Sequence, residues 1–198
     1  RYIRSCLFPY EFAHLIGYVS APSKRDIKNS DDMKPVLMSP GYRLGKSGLE
    51  KAYETTLRGK YGVKYVEVNS ADKPIRVASE KKSAMGDSLI TTIDVDLQKY
   101  TYQRIVKEVA CASVMDVKTG EILACASSPS FDVNRLSQGV SYEYWQKISK
   151  DKNLPLNNRA ISAIYPPGSV FKIITAIAAL EEGLNPSQLV NCKGHIVY

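Results

Sequence analysis

The sequence predicts an α+β chain built in two parts, and three observations support that prediction. Patterns typical of helices alternate with patterns typical of strands, and two of the strands are separated only by a short turn. Of 198 residues, 44% are hydrophobic, which suffices for a buried core. The charge is uneven, because residues 1–85 hold 16 Lys and Arg against 9 Asp and Glu, whereas residues 86–198 hold 11 of each. We therefore predict a boundary between residues 85 and 86.

The first part contains one marked helix and one strand. Residues 21–40 are polar and rich in proline, so we expect an exposed loop there. Ser47 and Glu50 have the spacing of a capping box, which predicts a helix that begins at Ser47 and ends at Gly59. Residues 61–68 alternate as a strand does. The polar residues 71–82 then predict a connection to the second part.

The second part has a more regular pattern. Leu89–Ile93 is a short β-rich run, and Asp94 is a candidate N-cap for a helix that continues to about Val109. Residues 110–117 and 121–127 are apolar or small on both faces and predict a hairpin that turns at 118–120. Strands buried on both faces belong at the centre of a sheet, with helices on either side. Further along, Ser141 is the candidate N-cap of a short helix.

Charge and cysteine content exclude several classes of function. The net charge of +7 would suit a nucleic-acid-binding protein, but the basic residues are scattered among acidic ones and no recognition motif is present. A basic face close to anionic lipid head groups fits this distribution better. The cysteines form no Cys-x-x-Cys pair, so we expect no metal and no cofactor, although a disulfide between Cys111 and Cys125 stays open. The residues weighed as metal ligands are Cys6, Cys111, Cys125, Cys192, His14 and His195.

The segment Tyr165–Lys172 offers the clearest chemistry. It reads Tyr-Pro-Pro-Gly-Ser-Val-Phe-Lys and leads into a helix that is apolar almost all round and is closed by Gly183. Such a helix belongs in a core. Ser169 lies in its first turn, where free backbone amides stabilise a developing negative charge. Lys172 follows three residues later, and in a core it would lose solvation and could accept the serine proton as a neutral amine.

The Ser-x-x-Lys pattern by itself is weak. It also occurs in three polar stretches of this chain, where both side chains would be solvated. The alternative for Ser169 and Lys172 is an N-cap serine and a lysine whose stem lies along a core helix. The other three pairs are Ser70 with Lys73, Ser79 with Lys82, and Ser149 with Lys152.

Tyr165–Lys172 with its alanine-rich helix resembles the active-site serine motif of penicillin-binding protein transpeptidases. Other segments, in the same order as in that family, extend the resemblance over nearly the whole chain. Upstream, the first of them resemble the non-catalytic pedestal of class B members. The segments are His14–Ser20, Ser47–Glu54, Leu57–Gly59, Thr91–Gln98, Asp116–Ala124, Ser128–Asn134 and Asn158–Ala160.

The resemblance implies a pedestal, or dimerisation-type, domain over 1–85. It implies that residues 86–198 are the N-terminal part of a serine-transpeptidase, β-lactamase-like domain with a central antiparallel sheet flanked by helices. The implied activity is D,D-transpeptidation of peptidoglycan during cell-wall elongation, with Ser169 as nucleophile and oxyanion donor and Lys172 as general base. The implied partners are stem peptides, β-lactams and elongation proteins, on the periplasmic face of a bacterial inner membrane with an anchor upstream.

One departure from the family is large. Its site also needs a Ser-x-Asn motif and a Lys-Thr/Ser-Gly strand after the serine helix, and the chain carries neither at those positions. The triplet Lys118-Thr119-Gly120 precedes Ser169 and belongs to the predicted hairpin turn. We therefore expect this chain to be part of a longer enzyme and to be inactive alone. A non-catalytic scaffold, or a degenerate truncated product, that binds elongation proteins is the alternative.

Overall fold

A computed structural model describes residues 4–28, 33–189, 191 and 194, and it confirms the α+β class. The chain divides into a unit that ends at Ala163 and a second unit that begins at Ile164. In chain order, the helices and strands are α1 (Ala13–Ile16), β1 (Val19–Ser20), α2 (Lys24–Lys28), α3 (Lys34–Leu37), β2 (Leu44–Gly45), α4 (Gly48–Ala52), α5 (Glu54–Arg58), β3 (Val63–Val68), β4 (Pro74–Lys81), α6 (Val95–Ile105), β5 (Ala110–Met115), β6 (Ile122–Ser128), α7 (Val133–Gln138), α8 (Tyr142–Ser149), α9 (Arg159–Ser162), a 3-10 turn (Gly168–Phe171) and α10 (Lys172–Glu181).

The strands of the described residues form three antiparallel pairs: β1 with β2, β3 with β4, and β5 with β6. The β5–β6 hairpin is the one predicted from the sequence, and α6 and α9 both pack against it. The two strands of this hairpin were expected to be buried on both faces, and this prediction is confirmed only in part. Ala124 and Ala126 of β6 are buried, whereas Ser113 and Met115 of β5 are exposed. No third strand pairs with β5 among the described residues.

The free edge of β6 is closed by a side chain rather than by a strand. Gln98 of α6 is fully buried, and its Oε1 accepts from the Cys125 N–H at 2.7 Å. Its Nε2 donates to the Cys125 carbonyl at 3.0 Å and to the Glu11 carbonyl at 2.7 Å. One amide therefore pairs both backbone groups of Cys125, as a neighbouring strand would, and holds the segment before α1 at the same point.

Replacing Gln98 by alanine is expected to lower the free energy of unfolding by about 3 kcal/mol, because three partly buried backbone groups would lose their partner and the buried Gln98 side chain would leave a cavity. Urea denaturation of the protein that carries this chain measures the loss. Gln103 is an exposed glutamine of the same helix, so Gln103→Ala is the matched control and should change stability by less than about 0.5 kcal/mol. Equal losses in both variants would contradict the role given to Gln98.

The core joins residues that are far apart in the sequence. Ala13 of α1 is buried against Phe131, Val133, Leu136 and Ile148. Cys6, Tyr18, Tyr144 and Leu156 pack against this cluster. Asn134 adds two hydrogen bonds, since its Oδ1 accepts from the Cys6 N–H at 2.7 Å and its Nδ2 donates to the Cys6 carbonyl at 2.9 Å. The first segment of the chain is thus built into the same core as α7 and α8.

Two glycines allow the backbone after α1 to touch the backbone before α4. Gly17 has φ +77°, and a Cβ there would stand 1.9 Å from the Ser47 carbonyl oxygen. Gly48 has φ +57°, and its Cβ would stand 2.6 Å from the Gly17 nitrogen. Side chains are excluded from both positions, by conformation and by contact.

The predicted helix from Ser47 to Gly59 is two short helices, α4 and α5, separated at Tyr53. The predicted capping box does not form. The Ser47 hydroxyl instead accepts from the Tyr18 N–H at 3.4 Å, and Glu50 pairs with Arg4 at 3.2 Å. The side chains that would form the local cap are therefore bonded to residues distant in the sequence.

Two strand predictions also change. Residues 71–82 were expected to be a connection, but Pro74–Lys81 is β4, the partner of β3. Its side chains are exposed on both faces, and its one apolar alternation, Ile75 and Val77, is too short to mark a strand. Leu89–Ile93 is not a strand, although its end lies along β6: Thr92 Oγ1 donates to the Ile122 carbonyl, and the N–H of the following Asp94 donates to the Leu123 carbonyl. Residues 21–40, expected to be a loop, contain α2 and α3.

The two predicted side-chain caps in the second part form. Asp94 accepts from the Leu97 N–H at 2.8 Å, although α6 ends at Ile105 rather than near Val109. Ser141 accepts from the Tyr144 N–H at 3.2 Å at the start of α8. Cys6, Cys111 and Cys125 are free thiols, whereas Cys192 and His195 lie outside the described residues. None of the described helices has the length and apolar content needed to cross a membrane.

Candidate active site

Ser169 and Lys172 lie at the junction of the 3-10 turn and α10. The Lys172 N–H donates to the carbonyls of Ser169 and Val170, which closes the turn. Side chains three residues apart nearly eclipse one another in a 3-10 turn, so those of Ser169 and Lys172 project from one side. The chain enters this turn through Pro167, whose carbonyl accepts from the Val170 N–H at 3.2 Å. Gly168 adopts φ +53°, a conformation that favours glycine.

The predicted burial of this helix is not observed. Ser169 and Lys172 are both exposed, and the exposed fractions of Ile173, Ile174 and Ile177 are 64%, 57% and 53%. Among the described residues after Ile164, α10 and its leading turn are the only helical elements, and no strand accompanies them. This unit therefore has no second layer of its own to cover an apolar helix.

The other three Ser-x-x-Lys pairs lie where the sequence predicts solvated side chains. Ser79 is opposite Tyr65 in the β3–β4 hairpin, and Ser149 is the last residue of α8. Ser70 belongs to the turn between β3 and β4. All three serines and their lysines are exposed, and none of them begins a helix. Of the four serines, only Ser169 combines the pattern with a turn that leads into a helix of ten residues.

The triplet Lys118-Thr119-Gly120 is a turn, as predicted. Asp116 Oδ1 accepts from the Lys118 N–H at 2.7 Å and from the Thr119 N–H at 3.0 Å. The hydrogen bonds from the Thr119 and Lys118 backbone lower the pKa of Asp116. Gly120 completes the turn with φ +77°. The triplet therefore joins β5 to β6 and does not form a strand.

A short helix, α9, precedes the serine segment and begins at a bridging asparagine. Asn158 Oδ1 accepts from the Ala160 N–H at 3.1 Å, which caps α9. Its Nδ2 donates to the His14 carbonyl of α1 at 3.3 Å. One side chain thus joins the start of α9 to an element 144 residues away in sequence.

Arg159 is buried and binds backbone carbonyls rather than a carboxylate in the described part of the chain. Its guanidinium donates to the carbonyls of Asn153, Leu154 and Asn157. Its backbone N–H donates to Ser127 Oγ of β6 at 3.0 Å. The loop before α9 is therefore folded around one guanidinium group, which adds a charged donor to each of three carbonyls.

Two family models match consecutive parts of the chain. One, described as a penicillin-binding protein dimerisation domain, matches residues 1–91. The other, described as a penicillin binding protein transpeptidase domain, matches residues 110–198. The chain belongs to the penicillin-binding proteins. This finding confirms the family resemblance of the sequence motifs, and the segment with Ser169 and Lys172 lies inside the part that matches the transpeptidase model.

Curated relatives of this penicillin-binding protein bear the name peptidoglycan D,D-transpeptidase MrdA. The one from Escherichia coli strain K12 is 36% identical over 180 residues, which are 89% of this chain and 28% of the relative. The one from Haemophilus influenzae is 32% identical over 196 residues, which are 98% of this chain and 30% of the relative. Penicillin-binding protein 3 of Bacillus subtilis is 35% identical over 183 residues, or 91% of this chain and 26% of that protein.

Solved structures of penicillin-binding protein 2 have the same fold. The complex of this protein with MreC from Helicobacter pylori matches with a TM-score of 0.75 and 29% identity, over 92% of this chain and 35% of that one. Pseudomonas aeruginosa PBP2 in complex with WCK 5153 matches with a TM-score of 0.73 and 28% identity, over 92% and 36%. This penicillin-binding protein chain therefore spans about a third or less of the relatives and structures that it matches.

Three residues that organise the helices before the serine segment have no individual role in the sequence prediction. Asn158 and Arg159 entered only as part of a family segment, and Asp132 was given no role. Asp132 caps α7 by accepting from the N–H groups of Asn134 and Arg135 at 3.0 and 3.2 Å. An Asp or Asn before a short helix is a signal for such caps, whereas the bond from Asn158 to α1 has no local signal.

Proposed function

We propose that the protein carrying this chain is a peptidoglycan D,D-transpeptidase that cross-links stem peptides during cell-wall elongation. The observation that carries the proposal is the place of Ser169 in the 3-10 turn and of Lys172 at the first residue of α10, within the segment that matches the transpeptidase model. The names of the curated relatives support the same activity.

In the proposed reaction, Ser169 Oγ attacks the carbonyl carbon of the D-Ala–D-Ala bond while Lys172 Nζ accepts the hydroxyl proton. The bond to the terminal D-Ala then breaks, that residue leaves with a proton on its amine, and an acyl-enzyme ester remains. The Ser169 N–H, at the amino end of the helix, is one donor to the oxyanion. An amine of a neighbouring stem peptide attacks the ester, which forms the cross-link and frees the serine. A β-lactam would acylate the same oxygen.

The proposed organisation follows the resemblance. Residues 1–85 form the pedestal, and residues 86–198 form the N-terminal part of the transpeptidase domain. We place the protein at the periplasmic face of a bacterial inner membrane, with an anchor upstream of this chain. Elongation proteins are the proposed partners, a proposal supported by the Helicobacter pylori PBP2 structure, which is a complex with MreC.

Peptide mapping after treatment with a fluorescent penicillin tests the proposal. Trypsin cleaves after Arg159 and Lys172, and the resulting peptide contains two serines, Ser162 and Ser169. We expect the full-length protein to acquire one penicilloyl adduct and fragmentation of this peptide to place it on Ser169. An adduct on any other peptide, on Ser162, or on no peptide at all would contradict the proposed function.

A further inference from the structure

We propose that Gly168 is a positioning residue for Ser169, because its positive φ closes the backbone turn that holds the serine. This role rests on the proposed function, since a turn can position a nucleophile only if Ser169 is one. Gly168 has no side chain that could contact a substrate or transfer a proton. Its influence on the reaction therefore passes through the backbone conformation beside Ser169.

Two backbone hydrogen bonds hold Ser169, one on each side. On the first side, the Val170 N–H donates to the Pro167 carbonyl at 3.2 Å, in a turn whose two central residues are Gly168 and Ser169. On the other side, the Ser169 carbonyl accepts from the Lys172 N–H. Neither bond uses the Ser169 N–H, which is the proposed donor to the oxyanion. The turn over residues 167–170 thus fixes the serine and leaves this donor available.

This turn depends on a positive φ at Gly168. Gly168 has φ +53°, Ser169 has a negative φ, and Pro167 before them has φ −69°. A positive φ at the first central residue alone is the pattern of a type II′ turn, a position where glycine and asparagine are favoured. An alanine there would favour a negative φ, and the rotation would carry the Val170 N–H away from the Pro167 carbonyl.

Conformation, and not space, is what requires glycine at this position. A Cβ on Gly168 would have nothing within 4 Å among the described residues, and residues 167–170 are exposed. No neighbouring side chain in this part of the chain would therefore force an alanine into a positive φ. That conformation is disfavoured for an L-residue by a factor of about 5 to 30, and the factor applies to the population of the closed turn.

Acylation kinetics of the full-length protein test the role of Gly168. Labelling rates at increasing concentrations of a fluorescent penicillin separate the maximal acylation rate from the half-saturating concentration. In Gly168→Ala the closed turn is less populated, so the maximal rate should fall about tenfold. The half-saturating concentration should stay within about twofold of the wild-type value, because the change removes no group that contacts the ligand.

Gly168→Asn separates the effect of backbone conformation from that of side-chain size. Asparagine is larger than alanine, but it adopts a positive φ more readily. We therefore expect Gly168→Asn to acylate faster than Gly168→Ala and to keep at least about a third of the wild-type maximal rate. An effect of size alone would give the opposite order.

Gly183→Ala is the matched control, at the other end of α10. Gly183 has φ +86°, and nothing lies within 4 Å of the position that its Cβ would occupy among the residues described. The conformational cost is therefore the same in kind, but the residue follows α10 and does not adjoin Ser169. This variant should lower the melting temperature about as much as Gly168→Ala and leave the maximal acylation rate within about twofold.

Three results would overturn the role of Gly168: a wild-type rate in Gly168→Ala, a slower rate in Gly168→Asn than in Gly168→Ala, or an equal loss of rate in Gly183→Ala. Failure of both Gly168 variants to fold would overturn it as well, since glycine would then be needed for folding rather than for the position of the serine. Labelling that persists in Ser169→Ala would instead refute the proposed function, whatever the Gly168 variants do.

Discussion

Replacing Ser169 by alanine is expected to abolish covalent labelling of the full-length protein by a fluorescent penicillin. The change removes the hydroxyl oxygen that would form the ester, and neither Gly168 nor Val170 beside it carries a nucleophilic group. The fold should be unaffected, because the Ser169 side chain is exposed and the turn is closed by backbone bonds from Lys172. Gel fluorescence after saturating exposure should fall from one label per chain to background.

The chain supplies its own controls for this experiment. Ser79 also stands three residues before a lysine, but it lies in the exposed β3–β4 hairpin. Ser79→Ala should therefore leave labelling unchanged. Lys172→Arg keeps the positive charge but replaces an amine that can lose a proton by a guanidinium that cannot, so the rate should fall at least about a hundredfold. Persistent labelling of Ser169→Ala, or loss of labelling in Ser79→Ala, would be incompatible with Ser169 as the nucleophile.

Replacing Gly17 by alanine is expected to lower the free energy of unfolding by more than about 3 kcal/mol. Two costs add at this position. An L-residue at φ +77° is disfavoured by about 1 kcal/mol, and the new Cβ would meet the Ser47 carbonyl oxygen at 1.9 Å. The obstacle is backbone, so relief requires α1 and the start of α4 to separate. Urea or thermal unfolding of the full-length protein measures the loss.

Gly120→Ala separates the two costs. Gly120 also has φ +77°, but nothing lies within 4 Å of the position that its Cβ would occupy. This variant should therefore lose only about 1 kcal/mol. If both variants lost the same amount, close approach of the two backbones at Gly17 would not be what makes glycine necessary there.

The sequence predicted elements whose cause is local. Asp94 and Ser141 each cap a helix through the N–H group three positions away, and the hairpin of β5 and β6 turns where Asp116 and Gly120 favour a turn. The junction of a proline-rich turn with a long apolar helix at Ser169 is of the same kind. In each case the residues that decide the structure are neighbours in the chain.

The remaining elements depend on partners that the local pattern does not contain. Ser47 and Glu50 have the spacing of a capping box. In the structure, however, the Ser47 hydroxyl accepts from the Tyr18 N–H and the Glu50 carboxylate pairs with Arg4, so the box does not form. Gln98 lies on a predicted helix like any polar residue, and only the position of Cys125 reveals that its amide replaces a strand. The predicted burial of Lys172 requires a covering layer, which the described residues of its own unit do not provide.

The core formed by Ala13 with Phe131, Val133 and Leu136 limits how this protein can be dissected. Cutting the chain after residue 91, between the two matched regions, would separate these partners although each region would be intact in sequence. The C-terminal product would expose these apolar side chains to solvent, and the Asn134 side chain would lose both of its hydrogen bonds to the Cys6 backbone. The two regions are thus modules in sequence but not in folding, and an exchange between related proteins would have to carry residues 4–20 along with the C-terminal module.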